Sequence, residues 1–287
     1  GGRIHRGLVI TKYGNCARLP PPAVCREAGH PVPDVASLWA GAELLAFMDE
    51  APADAAFLFL ISGGASALVE QLPEEADLAT LQAVNRWLLA SGWDITRLNR
   101  VRKALSLIKG GRLARALAGR AARVLLISDV PGDLPATIAS GPLSPDPQAD
   151  EPLPPGLPAW IAALTRAVPA PPLPTDPLFA SVEHRIIASN HDAIQAAAAH
   201  GGALGLDVII HNDPLAGEAA PLGARLAEAL RAGAPGVHLW GGETTVTLPP
   251  EPGRGGRCQT LALAAARALA DQPGAVLPAA GTDGPDG

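Results

Sequence analysis

The chain has 287 residues, of which 48% are hydrophobic, and its formal net charge is -6 at pH 7. Its length suits two domains of roughly 100 to 200 residues each. The acidic balance argues against a nucleic-acid partner, and no apolar run reaches the roughly 18 residues of a membrane-spanning helix. We therefore predict a globular protein that binds neither nucleic acid nor a membrane.

The first elements are predicted from an apolar run and a helix cap. Residues 7–13 predict a strand, and Asp34 stands where an N-cap precedes the amphipathic run 35–50. His30 lies between them in a Gly-His-Pro turn. It has two interpretations, a substrate contact or a turn residue without a chemical task, and we favour the second.

Cysteine usage indicates the compartment. The chain contains three cysteines, Cys16, Cys25 and Cys258. They are odd in number and lack the spacing of a metal site, which fits a reducing environment. We therefore predict a cytoplasmic protein.

The prediction is organised around residues 57–68, where an apolar run ends in small residues. Such a run predicts a buried strand, and the small residues allow a tight turn into the next element. Backbone N–H groups exposed in a turn of this kind bind anions, most often phosphate. We therefore expect an anionic group to bind at Ser62, Gly63, Gly64, Ala65 and Ser66.

A basic stripe follows a helix that is predicted from Asp77 to Ser91. In residues 95–108, polar and apolar side chains alternate at helical spacing and form two faces. The sequence contains no acidic residue between Asn99 and Arg123. A solvated face is one explanation, but concentrated positive charge in an acidic chain favours an anionic ligand. The candidate ligand-binding residues are Asn99, Arg102, Lys103, Lys109 and Arg112.

A second strand, residues 124–130, leads to two acidic residues, Asp129 and Asp133. Strand ends in a parallel sheet share one edge, where ligands bind. Carboxylates suit Mg²⁺, which usually takes one or two of them together with substrate phosphates. Turn formation and capping are the alternative for Asp near Gly and Pro. We predict Asp129 and Asp133 as metal ligands beside the anion-binding turn.

Prolines in residues 145–177 predict a domain boundary, with room for a helix at 159–168. Beyond it, strands at 185–188 and 208–211 alternate with helices. These helices are predicted at residues 192–200 and 221–231. The alternation indicates a second α/β unit.

The last segment contains further candidate site residues. Residues 236–248 predict two strands joined at Gly241 and Gly242, and Glu243 follows that turn. Glu243 could accept a hydroxyl or help to hold a metal, or it is an exposed hairpin residue. A glycine-rich loop then delivers Arg257 to the start of a helix at 259–270, where it would reinforce an anion site. A last strand is predicted at 275–280, and Asp283 and Asp286 follow it.

These motifs, taken in order, resemble one family. LISGGASAL, NRVRKALSLIKGGRLA, LLISDVPGD with IASGP, GGETTVTL, GGRCQ and AAGTDGPDG are similar to the glycerate 2-kinases of the two-domain bacterial and animal type. That type has a MOFRL-type C-terminal segment, and its members have also carried the label hydroxypyruvate reductase. The resemblance covers nearly the whole chain.

The resemblance implies an α/β fold and a kinase. A Rossmann-like parallel-sheet domain would take residues 1–175, and a smaller α/β domain would take 176–287, with the MOFRL-type segment from about 233. The active site would lie in the cleft between them. The implied reaction is ATP-dependent, Mg²⁺-dependent phosphorylation of D-glycerate at its 2-hydroxyl to give 2-phosphoglycerate. Nucleotide and glycerate are the implied partners, and a homodimer is a possible assembly.

Phosphoryl transfer depends mainly on positioning and on charge neutralisation, which suggests roles for the candidates. Lys103, Lys109 and Arg112 would neutralise phosphate, Arg257 would reach the transferring group, and Asp283 would accept the hydroxyl proton.

Two departures from the family pattern affect these roles. The pattern has an upstream Gly-Lys-Ala stretch with a lysine that this chain lacks. We therefore expect that the upstream part of the first domain, and also the end of the second, are missing here. Cys258 stands where the family has Asn, and a thiol is a weaker hydrogen-bond partner than an amide.

The sequence leaves two alternative functions besides a kinase. A reductase using NAD(P)H should have G-x-G-x-x-G after a strand, and the chain has SGGASA there. A non-catalytic nucleotide-binding or anion-binding protein would keep the site without the chemistry. Glycerate-dependent ADP release separates both from a kinase.

Overall fold

The computed structural model describes residues 4–248 and 253–282. It divides into two compact units, Gly1–Ile187 and Ala188–Gly287. Parallel strands and helices form both units, so the predicted α/β class is confirmed. The first unit runs one strand further than the predicted first domain, and the assignment of functional domains stays a prediction.

The first unit opens with a two-stranded parallel sheet. The predicted first strand is β1, Gly7–Lys12, and it pairs with β2, Ala23–Ala28, in register from Gly7↔Ala23 to Lys12↔Ala28. Strand β2 was not predicted from the sequence. Helix α1, Val35–Asp49, follows and begins with the predicted cap.

A three-stranded sheet forms the centre of this unit. Its order is β3, Phe57–Ile61, then β4, Ala122–Ile127, then β5, Val182–Ala188. Strands β3 and β4 are parallel, from Phe57↔Ala122 to Ile61↔Leu126. Because side chains alternate along a strand, Val124 and Leu126 enter the core while Leu58 and Leu60 lie on the exposed face.

The remaining helices of the first unit are α2, Ala65–Leu68, α3, Leu78–Ala90, α4, Ile95–Ala104, and α5, Ala159–Ala167. Short 3₁₀ segments lie at Arg112–Leu117, Ile138–Ser140 and Pro177–Ser181. The predicted helices α3 and α5 are confirmed, but the helix predicted through residue 108 ends at Ala104. The chain then turns towards Gly110 and Gly111, whose φ values are 60° and 80°.

The second unit contains α6, Asn190–Ala203, β6, Val208–Ile210, α7, Ala219–Ala232, β7, Val237–Leu239, and α8, Arg257–Ala268. Strands β6 and β7 are parallel, and α7 lies in the crossover connection that parallel strands need. Helices α7 and α8 pack closely at Gly223, where a Cβ would lie 2.3 Å from the Leu261 carbonyl oxygen.

Two predictions for the second unit are wrong. Residues 236–248 do not form a hairpin: after β7 the chain runs parallel to residues 215–218, through bridges at Leu215↔Gly242 and Glu218↔Thr245. Residues 275–280 form no strand with any described residue, although Leu277 and Ala279 pack against the α7–α8 core. Pro278 removes one N–H group from that stretch.

The cysteines differ from expectation. Cys16 and Cys25 form a disulfide with a Cα–Cα distance of 6.0 Å, and Cys258 is not part of it. Disulfides persist mainly in oxidising compartments, so cysteine usage no longer supports a reducing one. No helix within residues 4–248 and 253–282 is both long and apolar enough to cross a membrane.

Candidate functional site

Residues 62–66, which follow β3 and which we call the glycine turn, form the centre of the candidate site in the first unit. Gly64, the residue before α2, has φ 78°. A Cβ on Gly63 would lie 1.6 Å from Asp129 Oδ2, and one on Gly64 would lie 2.6 Å from His30 Nε2. Asp129 and His30 therefore pack against the backbone of the turn, and at Gly64 the positive φ also favours glycine.

Asp129 reaches this turn because β4 lies beside β3 and runs in the same direction. Asp129 lies two residues after the end of β4, and Ser62 lies directly after the end of β3. The structure thus brings together two predicted parts, the turn and one of the two acids. Asp133 lies in the following turn with φ 52°, and its N–H donates to the Val130 carbonyl.

A second turn, at Ala139, Ser140 and Gly141, contacts the glycine turn. These three residues have φ values of 51°, 64° and 57°, which is the left-handed region. Ser140 is buried, and its hydroxyl shares a hydrogen bond of 2.9 Å with the hydroxyl of Ser66. Strained backbone of this kind concentrates at functional sites. Ser140 was not among the predicted site residues, although its Ser-Gly-Pro turn was visible in the sequence.

The basic stripe is compensated, contrary to the argument from the sequence. Lys103 Nζ lies 2.8 Å from Asp146 Oδ2, and Lys109 Nζ lies 2.6 Å from Glu70 Oε2. The acids come from segments 43 and 39 residues away in the chain. The absence of acids from the stripe itself therefore did not mean that its charges lacked partners.

The arginines of the stripe bind the protein's own polar groups. Arg102 donates to the side-chain oxygens of Asn85 and Asn99, and burial lowers the pKa of its guanidinium. Arg112 is buried, which lowers its pKa to about 10. Its guanidinium donates to three backbone carbonyls, those of Pro169, Lys103 and Lys109. The prediction that these residues bind phosphate stays a prediction.

In the second unit, two predicted residues lie together. The Arg257 guanidinium donates to the Glu243 carboxylate and forms an ion pair with it. The helix that was predicted to begin at residue 259 begins at Arg257. The N–H of Glu243 donates to the Leu215 carbonyl at 3.0 Å, which fixes the backbone that carries its side chain. Asp283 lies outside the described residues.

The comparisons with known proteins decide the family. Residues 2–153 match a domain of unknown function, DUF4147, and residues 236–287 match the MOFRL family. The chain is 37% identical to a glycerate 2-kinase from Pyrococcus horikoshii, over 99% of this chain and 68% of that protein. The chain belongs to the glycerate 2-kinase family. The resemblance noted in the sequence is therefore confirmed.

Two further relatives of the 287-residue chain carry different names. It is 35% identical to a D-glycerate 2-kinase from Thermotoga maritima, over 100% of this chain and 71% of the relative. It is 39% identical to a putative hydroxypyruvate reductase from Agrobacterium vitis, over 98% of this chain and 76% of the relative.

Solved structures agree with the family assignment. A crystal structure of glycerate kinase from Thermotoga maritima matches with a TM-score of 0.77 and 32% identity, over 93% of this chain and 66% of that one. A protein from Pyrococcus horikoshii matches with a TM-score of 0.70 and 32% identity, over 93% of this chain and 65% of that one. This family member thus spans about two thirds of the solved structures that it matches.

Proposed function

We propose that this protein is a kinase that phosphorylates D-glycerate at its 2-hydroxyl with ATP and gives 2-phosphoglycerate. One observation carries the proposal: the glycine turn, Asp129 and Ser140 lie together beyond adjacent parallel strands. Such strand ends are where α/β folds bind ligands. The family assignment then selects a phosphoryl transfer over other uses of an anion site.

The glycine turn supplies the first part of the machinery. The N–H groups at the start of a helix lack partners within that helix, and glycine lets a ligand approach the backbone. The turn at Gly63 and Gly64 would hold an anionic group, either a nucleotide phosphate or the glycerate carboxylate. The hydroxyl groups of Ser62, Ser66 and Ser140 supply further polar contacts at the same edge.

Asp129 and Asp133 are the side chains that would hold a Mg²⁺ ion. A larger cluster of protein ligands is not required, because Mg²⁺ is usually bound by one or two carboxylates plus substrate phosphates. The residues that the structure describes contain no group of three or more His, Cys, Asp or Glu side chains arranged for a metal. Asp129 offers a carboxylate directly against the turn that would hold phosphate. When bound, Mg²⁺ would neutralise charge on the phosphates.

The transfer itself forms a bond between the glycerate 2-oxygen and the γ-phosphorus and breaks the bond from that phosphorus to ADP. We propose that Arg257, oriented by Glu243, stabilises the charge on the transferring group and that Asp283 accepts the hydroxyl proton. Lys103, held by Asp146, would add positive charge. Cytoplasmic location and a homodimer stay predictions.

Glycerate-dependent ADP release by the chain tests the function. Arg257→Ala is expected to lower turnover strongly, since single arginines in other phosphoryl-transfer enzymes contribute about 10³ to 10⁵. Arg267→Ala, an exposed arginine of the same helix, is the matched control. A loss of less than about tenfold in Arg257→Ala, roughly 1.4 kcal/mol of barrier, would remove Arg257 from the mechanism.

The reductase named among the relatives is the second candidate. The turn after β3 lacks the three-glycine spacing that dinucleotide-binding folds use at the pyrophosphate. NADH oxidation in the presence of hydroxypyruvate tests it. A rate comparable to ADP release would overturn the kinase proposal.

A further inference from the structure

A buried ion pair lies between the two turns of the candidate site. Glu70 and Lys109 are 2% and 5% exposed, and their charged atoms lie 2.6 Å apart. Ser106, also buried, donates its hydroxyl to the other oxygen of Glu70 at 2.5 Å. The same hydroxyl accepts the N–H of Lys109 at 3.2 Å. We call Glu70, Ser106 and Lys109 the brace.

One end of the brace is tied to the glycine turn. Glu70 lies two residues after the end of α2, which continues directly from that turn. Its N–H donates to the Ser37 carbonyl in α1 at 3.0 Å. At Gly41, also in α1, a Cβ would lie only 2.0 Å from the Glu70 carbonyl oxygen. The backbone of Glu70 is therefore pressed against α1 and has little freedom to move.

The other end of the brace is tied to the Ser140 turn. Lys109 directly precedes Gly110 and Gly111, whose N–H groups donate to the carbonyls of Ser140 and Gly141 at 3.0 and 2.7 Å. The hydrogen bond between Ser140 and Ser66 then returns to the glycine turn. The contacts form a closed ring that joins both turns through the brace.

We propose that the brace is a positioning device that sets the distance between the glycine turn and the Ser140 turn. Lys109 thereby acts through the backbone that follows it instead of touching a phosphate. An ammonium group that is buried and already paired with a carboxylate is poorly placed to meet a ligand. The effect of the brace on turnover rests on the proposed function, whereas its effect on the two turns does not.

Hydrogen–deuterium exchange of the 287-residue chain tests the brace without relying on activity. The variants are Glu70→Gln, Lys109→Met and the double variant Glu70→Leu with Lys109→Met. Val84→Ala, a core substitution in the separate cluster of α3, α4 and α5, is the control for general destabilisation. The single variants are expected to raise exchange about tenfold or more in peptides covering residues 62–68 and 139–142, because local opening of both turns becomes easier.

The double variant separates positioning from mere stability. Replacing both charges by apolar side chains commonly restores stability that one replacement removes. We therefore expect its unfolding midpoint to recover while both turns still exchange faster than in the parent chain. Exchange in the two turns equal to that of Val84→Ala would overturn the proposal, as would full recovery of slow exchange in the double variant. If a single variant does not fold, the double variant decides.

Turnover supplies the catalytic readout. Misplacement of about 1 Å can cost about 10²-fold in rate, so we expect the double variant to lose turnover while KM for ATP and glycerate changes much less. An unchanged turnover with loosened turns would overturn the positioning role. Absence of ADP release in the parent chain would count against the proposed function instead, and the exchange result would still decide whether the brace holds the turns.

Discussion

At Gly63 the absence of a Cβ leaves the space that the Asp129 carboxylate occupies. A Cβ there would lie 1.6 Å from Asp129 Oδ2, so an alanine must displace the Asp129 side chain. Gly63 is not among the residues with positive φ, and alanine can adopt its backbone conformation. A substitution at this position therefore moves the proposed metal ligand without straining the chain.

We predict that Gly63→Ala keeps the free energy of unfolding within about 1 kcal/mol and lowers kcat/KM for glycerate at least about tenfold, roughly 1.4 kcal/mol. Urea unfolding and ADP release measure the two effects. Gly274→Ala is the control, since a Cβ at Gly274 would meet no atom of the described residues within 4 Å. Equal activity in both variants would separate Asp129 from the chemistry.

His184 gives a pH-dependent contribution to stability. Its Nε2 lies 3.0 Å from the buried Ser144 hydroxyl, and burial lowers the pKa of the imidazole from its usual 6.5, against a smaller opposing effect of the Leu143 backbone. The folded chain thus binds fewer protons here than the unfolded chain, so stability is present above pH 6.5 and is lost as pH falls through the lowered pKa.

We therefore predict that His184→Gln flattens the fall in unfolding free energy between about pH 8 and about pH 5. Urea unfolding at both ends of this range measures it. His191→Gln, which replaces an exposed histidine, is the control for the loss of an imidazole. If both substitutions change the slope equally, His184 is not the group responsible.

At the scale of elements, α1 depends on a capping box at its start. Asp34 accepts the N–H of Ser37 at 3.1 Å, and the Ser37 hydroxyl accepts the N–H of Asp34 at 3.1 Å. Asp34 also accepts the Gly29 N–H and the Tyr13 hydroxyl, so it joins the residue after β1 and the turn before α1 to the helix. Asp77, the cap of α3, accepts the N–H and the hydroxyl of Thr80, which belongs to the helix that it caps.

We predict that Asp34→Ala lowers the free energy of unfolding towards the upper end of the usual 0.5 to 2 kcal/mol for a lost cap, about 2 kcal/mol. Asp77→Ala should fall near the lower end, because its contacts do not tie the helix to another element. Urea unfolding of both variants beside Asp54→Ala, an exposed position, makes the comparison. A larger loss in Asp77→Ala would contradict the importance of the extra contacts of Asp34.

Local chemistry explains which elements the sequence could predict. Asp34 and Asp77 predict helices because a cap bonds to the residues that directly follow it in the sequence. Strands β3 and β4 could be predicted because their sequences are apolar for most of their length. The hairpin prediction at Gly242 failed because its glycine serves a different contact: a Cβ there would lie 2.3 Å from the Leu215 carbonyl oxygen. That approach of distant backbone leaves no local pattern.

At the scale of the whole molecule, the parts of the candidate site also differ in whether a local sequence pattern could predict them. The glycine turn and Asp129 could be predicted to meet because both follow apolar strands, and neighbouring parallel strands end at one edge. The partners of Lys103 and Lys109 could not be predicted, since Asp146 and Glu70 lie 43 and 39 residues away in the sequence. Ion pairs between distant segments follow from the tertiary fold, which charge spacing does not reveal.

The final prediction concerns ligand binding measured on the whole chain. A ligand that binds only the folded state raises its stability, by about 2.7 kcal/mol at a free concentration of 100 times Kd. We expect ATP with Mg²⁺ to raise the unfolding midpoint more than ATP with EDTA, because the metal completes charge neutralisation beside Asp129. Asp129→Asn should remove most of this difference, and Asp150→Asn, at an exposed position, should preserve it. Asp133→Asn shows whether the second acid takes part, since asparagine tolerates the φ of 52° at that position. If Asp129→Asn responds to Mg²⁺ as the parent chain does, the carboxylate against the glycine turn is not a metal ligand.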